Sequence, residues 1–227
     1  LDRALAASYA ADFVSVGGEV RAAVMSAEVI NLDRNVVITG DALRLHSPCP
    51  AALPPATATG SSCTLGLHVA QLWGGIIRVE GARVERCGQR GVKGKYCLHT
   101  HLVGHCPTCS FASNAIEHAH QRGIVVHGTH GMDVRANVLA DVRGAGIYLE
   151  DGNEMGNRIV YNVVICPFAR EGPLRGCTVP GTDNDQADTA LNQAGLWALP
   201  ANNHFVGNRF SNSFNGLFID ANFDGGN

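Results

Sequence analysis

The chain has 227 residues, enough for one large domain or one and a half, with a substantial core. Its 17 basic residues against 20 acidic ones give a net charge of -3, and no basic stripe of the kind that phosphate binding normally shows is present, which argues against nucleic acid as the partner. With 27 glycines, only 16% charged residues and short Val/Ile runs set between Asn and Gly, the composition fits an all-β chain with many tight turns and excludes one built on long amphipathic helices.

Taken in order, residues 1–13 have two or three turns of helical character that Gly17 and Gly18 end. Residues 27–41 (AEVINLDRNVVITGD) read as two short strands, the second over 35–39, closed by a Gly-Asp turn. From 43 to 62 a run of Pro, Ala, Thr and Ser without periodicity reads as an exposed loop, so 42–65 is assigned as a linker. Order resumes at residues 66–71.

From there the chain repeats itself. Residues 84–91 (VERCGQRG) resemble 116–123 (IEHAHQRG) at an offset of 32 that includes a loop over 104–110. Without an insertion of roughly nine residues the repeat is about 23. The spacing then holds: Gly123 to Gly146 is 23, Asn114 to Asn137 is 23, Asn137 to Asn162 is 25 and Gly195 to Gly216 is 21. A period of this length, with strands and Asn-bearing turns, predicts the coil of a right-handed parallel β-helix over 66–227, interrupted by a polar loop at 166–194. Asn114, Asn137, Asn162 and Asn208 fall at equivalent bends, where their amides can bond neighbouring backbone and tolerate a left-handed conformation.

Eight cysteines form an even set that suits an oxidising compartment. Those close in sequence, Cys49 with Cys63 and Cys166 with Cys177, are candidate loop staples, and the lone CxxC of Cys106 and Cys109 reads as a local disulfide or loop clamp ahead of a zinc site, with no βαβ context for redox chemistry. The sequence contains no signal peptide, apolar span of about 20 residues or Asn-x-Ser/Thr acceptor. It begins without a methionine and reads as a processed part or fragment of a longer protein, monomeric, with any membrane attachment through segments outside it.

The ordered set AEVINLDRNVVITGD, KYCLHTHLVG, VVHGTHGMDVRANV, GIYLEDGNEMGN and LWALPANNHFVGN resembles the family of the cell-migration-inducing and transmembrane cell-surface hyaluronidases, whose pattern fibrocystin-like proteins share. The likeness spans about residues 27–208. It implies that residues 1–41 are the C-terminal part of a glycine-rich all-β domain preceding the β-helix, that the setting is extracellular or the cell surface, and, for some members, hyaluronan depolymerisation. The chain departs from the family pattern at Cys97 and Thr100, where Pro and an aromatic are usual. An aromatic missing at 100 removes a sugar-stacking contact.

The chemistry gathers between residues 96 and 162. His99 and His101 alternate along one strand and so share a face. Superposing GIVVHG (123–128) on GIYLEDG (146–152) sets His127 on Glu150, and aligning residues 97–99 on the same apolar pairs puts His99 in that column. His99, His101, His127, Glu150, Asp151 and Glu154 are therefore the catalytic candidates, as general acids and bases near neutral pH. Hydrolysis of an acidic polysaccharide would use two carboxyls, Glu150 with Asp151 or Glu154. Elimination would use His101 or His127 as base and Arg122, Arg135 or Arg143 to neutralise the uronate. Trp197 is a candidate sugar platform.

The same His99, His101, His127 and Glu150 are candidate ligands for a divalent metal, zinc or calcium, and solvent-face hydrogen bonding is the third reading of the cluster. Asp183, Asp185 and Asp188 form a second, acidic candidate for calcium, without the glycine and terminal Glu of an EF-hand. Two functions stay open: a carbohydrate-active β-helix cleaving a hyaluronan-like glycan, and a non-catalytic ectodomain module that binds glycan or protein with the helix as a rigid spacer.

Overall fold

Short runs of β-branched and aliphatic residues, cut every few positions by Asn or Gly, are too brief for a meander and too regular for a sandwich. They stack instead. The computed structural model describes residues 30–40, 65–89, 92–166, 194–199, 201–213 and 215–219, with the backbone of two short strands before them. The chain divides into two compact units, Leu1–Asn31 and Leu32–Asn227. In the first, β1 (Asp12–Phe13) pairs antiparallel with β2 (Val24–Met25).

The second unit is a right-handed parallel β-helix whose coils each contribute one strand to three parallel sheets. In chain order the strands are β3 (Val36–Thr39), β4 (Val69–Leu72), β5 (Arg78–Glu80), β6 (Ala82–Glu85), β7 (Leu98–His105), β8 (Ser110–Ala112), β9 (Ala115–Ala119), β10 (Ile124–His130), β11 (Asp133–Arg135) and β12 (Val138–Val142). They continue as β13 (Ile147–Leu149), β14 (Arg158–Val160), β15 (Val163–Ile165), β16 (Ala194–Ala198), β17 (His204–Val206), β18 (Arg209–Ser211) and β19 (Asn215–Ile219). The first sheet runs β4-β7-β10-β13-β16-β19, the second β5-β8-β11-β14-β17, and the third β3-β6-β9-β12-β15-β18. No described helix is long and apolar enough to cross a membrane.

The repeat read from the sequence is the pairing register. Val84 lies on Ile116, Leu139 on Ile116 and Ile124 on Ile147. Side chains alternate across each strand, so every second residue enters one continuous interior. Leu98, Ile124, Ile147 and Leu196 stack in it from the first sheet, Phe111, Val134 and Ile159 from the second, and Val84, Ile116, Leu139 and Val164 from the third. Thr100 is on this inward side, its hydroxyl 3.5 Å from Met132 Sδ. An aromatic at 100 would thus fill the coil rather than face a sugar, and the departure from the family pattern there leaves the outer face of the sheet untouched.

Two ladders hold the bends. Asn137 Oδ1 accepts from Asn114 N and Nδ2, both at 3.0 Å, while Asn137 Nδ2 donates to Phe111 O at 2.8 Å and Asn162 Oδ1 at 2.9 Å. Asn208 continues the file by accepting from Asn162 N and Nδ2. The left-handed residue is the one before each asparagine, Ser113, Ala136, Tyr161 and Gly207, rather than the asparagine itself. The residue ahead turns the chain, and the amide then satisfies backbone groups that the turn leaves open. A second ladder, not singled out in the sequence, runs from Met132 N to Asn157 Oδ1 and from Asn157 N to Asn203 Oδ1, each 2.9 Å. Its signal was an asparagine directly before the second-sheet strand of successive coils, Asn157 before Arg158 and Asn203 before His204.

The assignment of 1–41 to the preceding domain is cut back by β3. Its residues pair in parallel with β6, Val36 on Ala82 through Thr39 on Glu85, and the unit boundary falls between Asn31 and Leu32. A strand of four residues carries no mark of which sheet it joins. Among the described residues, disulfides join Cys87 to Cys97 and Cys106 to Cys109. The first was not foreseen; it closes the loop that carries the chain from the third sheet to the first. Cys166 is also disulfide-bonded, with its partner outside the described residues, as are Cys49, Cys63 and Cys177.

Candidate functional site

The outer face of the first sheet carries the chemistry. Parallel pairing sets His101 on His127 and, by the next step after Val126 on Leu149, His127 on Glu150. The file is therefore His101, His127, Glu150. His99 lies one column over, on Val125, Tyr148, Trp197 and Phe218, which corrects the alignment that placed it above His127. The coil position filled by Gly123 and Gly146 is held by Cys97, so the fourth residue onward is His101, as it is His127 and Glu150 in the next coils. A Cβ at Gly146 would meet Val164 Cγ1 at 2.7 Å and Gly195 O at 2.8 Å, which explains the glycines. Counting from the half-cystine instead of the apolar pair would have found the column.

Local bonds set the orientation of each group. His101 Nδ1 lies 2.8 Å from His127 Nδ1. His127 Nε2 lies 2.8 Å from Asp151 Oδ2, and His127 Nδ1 lies 3.5 Å from Glu150 Oε2. His99 is only 3% exposed; its Nδ1 meets Gly94 O at 3.2 Å, while Nε2 is buried without a hydrogen-bond partner. The ring lies parallel to that of His127, centroids 6.1 Å apart, and edge-on to His101 at 5.2 Å. Burial, then the neighbouring His101, pushes His99 down to about 3, against the pull of the Gly94 carbonyl. His101 is also lowered, by burial first and then by His127, with Asp151 opposing. Burial raises the Glu150 carboxyl; His127, Arg122 and Lys93 counter it and Asp151 adds to it. The net shift of each group is toward its neutral form, as burial imposes on a group taken out of water.

The other sequence candidates lie elsewhere or do other work. Glu154 is buried and accepts from Gly128 N at 2.9 Å, Asp151 N at 3.0 Å and Gly152 N at 3.0 Å. It ties down the turn that presents Glu150 and Asp151. Arg122 is buried beneath the site, its guanidinium over Tyr148 at 4.0 Å and Tyr96 at 4.9 Å, with Nη1 donating to Tyr96 Oη at 2.6 Å. Arg135 belongs to the second sheet and pairs with Asp133 at 3.0 Å, and Arg143 pairs with Asp141 of β12 at 3.3 Å, so neither joins the cluster.

Trp197 is buried between Tyr148, ring centroids 4.3 Å apart, and Phe218 at 6.5 Å. It packs in the outer apolar cluster with Tyr96 and Val125 instead of offering an open platform. Exposed Lys93, which the sequence reading did not select, stands close enough to act on Glu150. The acidic triplet Asp183, Asp185 and Asp188 lies outside the described residues. One nitrogen from each of His99, His101 and His127 lies within 4.8 Å of the others, a spacing at which three imidazoles can share an ion.

Fold and site together define a parallel β-helix module with a patch of histidines and carboxylates on the outer face of one sheet. Residues 64–222 match the model of the CEMIP beta-helix family, more than half of the chain, and the chain belongs to that family. It is 28% identical over 196 residues to a G8 domain-containing protein of Dictyostelium discoideum, covering 84% of this chain and 16% of that protein. Communication mutant protein F of the same organism is 27% identical over 195 residues, with 84% and 16% covered. Human fibrocystin-L is 30% identical over 163 residues, 61% of this chain and 4% of that protein. The chain thus spans about a sixth or less of the length of these relatives. No solved structure matches it significantly.

Proposed function

We propose that the chain is an extracellular or cell-surface carbohydrate-active module whose outer histidine and carboxylate patch cleaves an acidic, hyaluronan-like polysaccharide by acid-base chemistry. The observation that carries this reading is the file His101, His127, Glu150 with Asp151 behind it, proton-carrying groups from three successive coils, each 2.8 to 3.5 Å from His127. Asp151 orients His127 through Nε2, leaving Nδ1 toward His101 and Glu150, the arrangement by which a carboxylate fixes the tautomer of a working imidazole. Lys93 beside the patch supplies a cation for a uronate carboxylate. A parallel sheet offers this surface as a long, straight wall, which suits a polymer better than a small molecule. The half-cystines at Cys87, Cys97, Cys106 and Cys109 suit an oxidising setting.

The test is to incubate the chain with hyaluronan, chondroitin and heparan chains and size the products. Shortening is expected for hyaluronan and lost in His127→Ala and Glu150→Gln, with the far-ultraviolet dichroism unchanged. New absorbance from a double bond would assign elimination, and its absence with shortening would assign hydrolysis. Cleavage retained in both variants, or no cleavage of any acidic glycan, would overturn the proposal.

A further inference from the structure

Imidazole nitrogens and a carboxylate oxygen from three successive coils meet on the outer face of the first sheet. His101 Nδ1 and His127 Nδ1 face one another at 2.8 Å, and Glu150 Oε2 is 3.5 Å from the latter. Four ligands around a tetrahedral ion with bonds of about 2.0 to 2.1 Å stand roughly 3.3 Å apart, and the two observed separations lie on either side of that value. Glu150 Oε2 is buried and makes no hydrogen bond among the described residues, and the same holds for His99 Nε2. A buried His99 Nε2 without a hydrogen-bond partner, beside two further imidazoles within 4.8 Å, is costly in a folded protein unless something binds there.

The outer contacts of the imidazoles point the same way. His127 turns Nε2 to Asp151 at 2.8 Å, which holds that nitrogen as the N-H and leaves Nδ1 as a lone pair facing His101 and Glu150. His99 turns Nδ1 to the Gly94 carbonyl, which leaves Nε2 as its lone pair. A carboxylate on one histidine and a backbone carbonyl on another are the partners that orient metal-bound imidazoles and select their tautomers. Gly94 itself sits in the loop that the Cys87 to Cys97 disulfide closes, so its carbonyl is held in place. Asp151 is partly exposed, with 37% of its side chain accessible, which gives an ion a path from solvent.

We propose that His99, His101 and His127, with one nitrogen of each within 4.8 Å of the others, form with Glu150 beside His127 a binding site for a single first-row transition ion of the zinc class. Nitrogen donors in the majority and one carboxylate match zinc, whereas calcium requires a shell of oxygens. The inference deepens the proposed function, since it concerns the same patch, but it is measured by binding and not by cleavage.

The chain, stripped by dialysis against a chelator, is titrated with Co2+ and then with Zn2+. One equivalent of Co2+ is expected to give the intense visible band of a four-coordinate ion, and Zn2+ is expected to displace it. His101→Ala and His127→Ala should lose the band, and Asp151→Asn, which keeps every ligand, should weaken zinc binding by about 10- to 100-fold. His118→Ala, on another sheet, should bind as the parent does. Absence of the band in the parent chain overturns the site, as does a band that survives both histidine variants or is lost equally in His118→Ala. Should the two alanine variants fail to fold, Asp151→Asn decides alone: unchanged zinc affinity overturns the assignment. Zinc binding without glycan cleavage keeps the site and removes the proposed activity; cleavage by a chain that binds no Co2+ and ignores chelator does the reverse.

Discussion

Arg122 is the largest fully buried side chain among the described residues. A guanidinium is tolerated there because two tyrosine rings lie against it and Tyr96 Oη accepts from it. Planarity is what allows both rings and the hydroxyl to be met at once, so lysine is a poor substitute. Arg122→Lys is expected to lower stability by about 2 kcal/mol, the size of a desolvated cation-π contact, read as a lower urea midpoint at unchanged slope. A midpoint equal to the parent's would show that the rings contribute nothing.

A second pair sits on the third sheet. His118 Nδ1 lies 3.3 Å from Asp141 Oδ2; the hydrogen bond that His118 donates to the Asp141 carboxylate raises His118 and lowers Asp141. With its folded value raised, His118 contributes stability that is full below its unfolded value near 6.5 and is lost as pH rises through the folded value. Asp141, depressed, contributes above its unfolded value near 3.8 and loses this as pH falls through the folded value. The pair is therefore worth most between about pH 4 and 6.5. Because the histidine side chain is 65% exposed, the gain is roughly 0.2 to 1 kcal/mol. His118→Ala should lower the melting temperature within that window and leave it unchanged at pH 9; an equal loss at both would refute the linkage.

At the scale of the element, the bends outweigh the strands. A three-residue strand such as β8 or β11 makes few ladder bonds of its own, so the turn beside it must set where it starts. Asn137→Ala would leave Asn114 N and Phe111 O, both in the buried bend, without their side-chain partner. The expected cost is about 1 to 3 kcal/mol, seen in thermal or urea unfolding, with Co2+ binding at the distant first sheet intact. This ladder was legible from the sequence because each step is a single residue type at a repeat distance. The left-handed residues before the asparagines were not legible: Ser113, Ala136 and Tyr161 share no chemistry, only a place in the coil. Trp197 shows the same limit, since alternation puts it on an outer face and only the packing of Tyr148 and Phe218 makes that face buried.

For the β-helix unit, neighbouring coils are the main source of stability, and a coil flanked on both sides is held better than one near an end. The central strands β8, β9, β10 and β13 are largely buried, while β3, β17, β18 and β19 alternate between exposed and half-buried positions. Amide exchange in residues 110–149 should accordingly be slower than in residues 36–39 and 204–219 by about tenfold or more. Uniform exchange throughout would mean that the unit opens only as a whole.

The sequence by itself determined the period, the stacking of like positions and the face on which His99 and His101 lie, because parallel coils turn a spacing along the chain into a column in space. It did not determine which histidine meets which carboxylate. That depended on a half-cystine occupying a glycine's place in the coil, and on a turn that Glu154 folds back so that Asp151, not Glu154, reaches His127. Only the tertiary structure decides such contacts, since they are set by insertions, covalent loops and side-chain hydrogen bonds that leave no periodic trace.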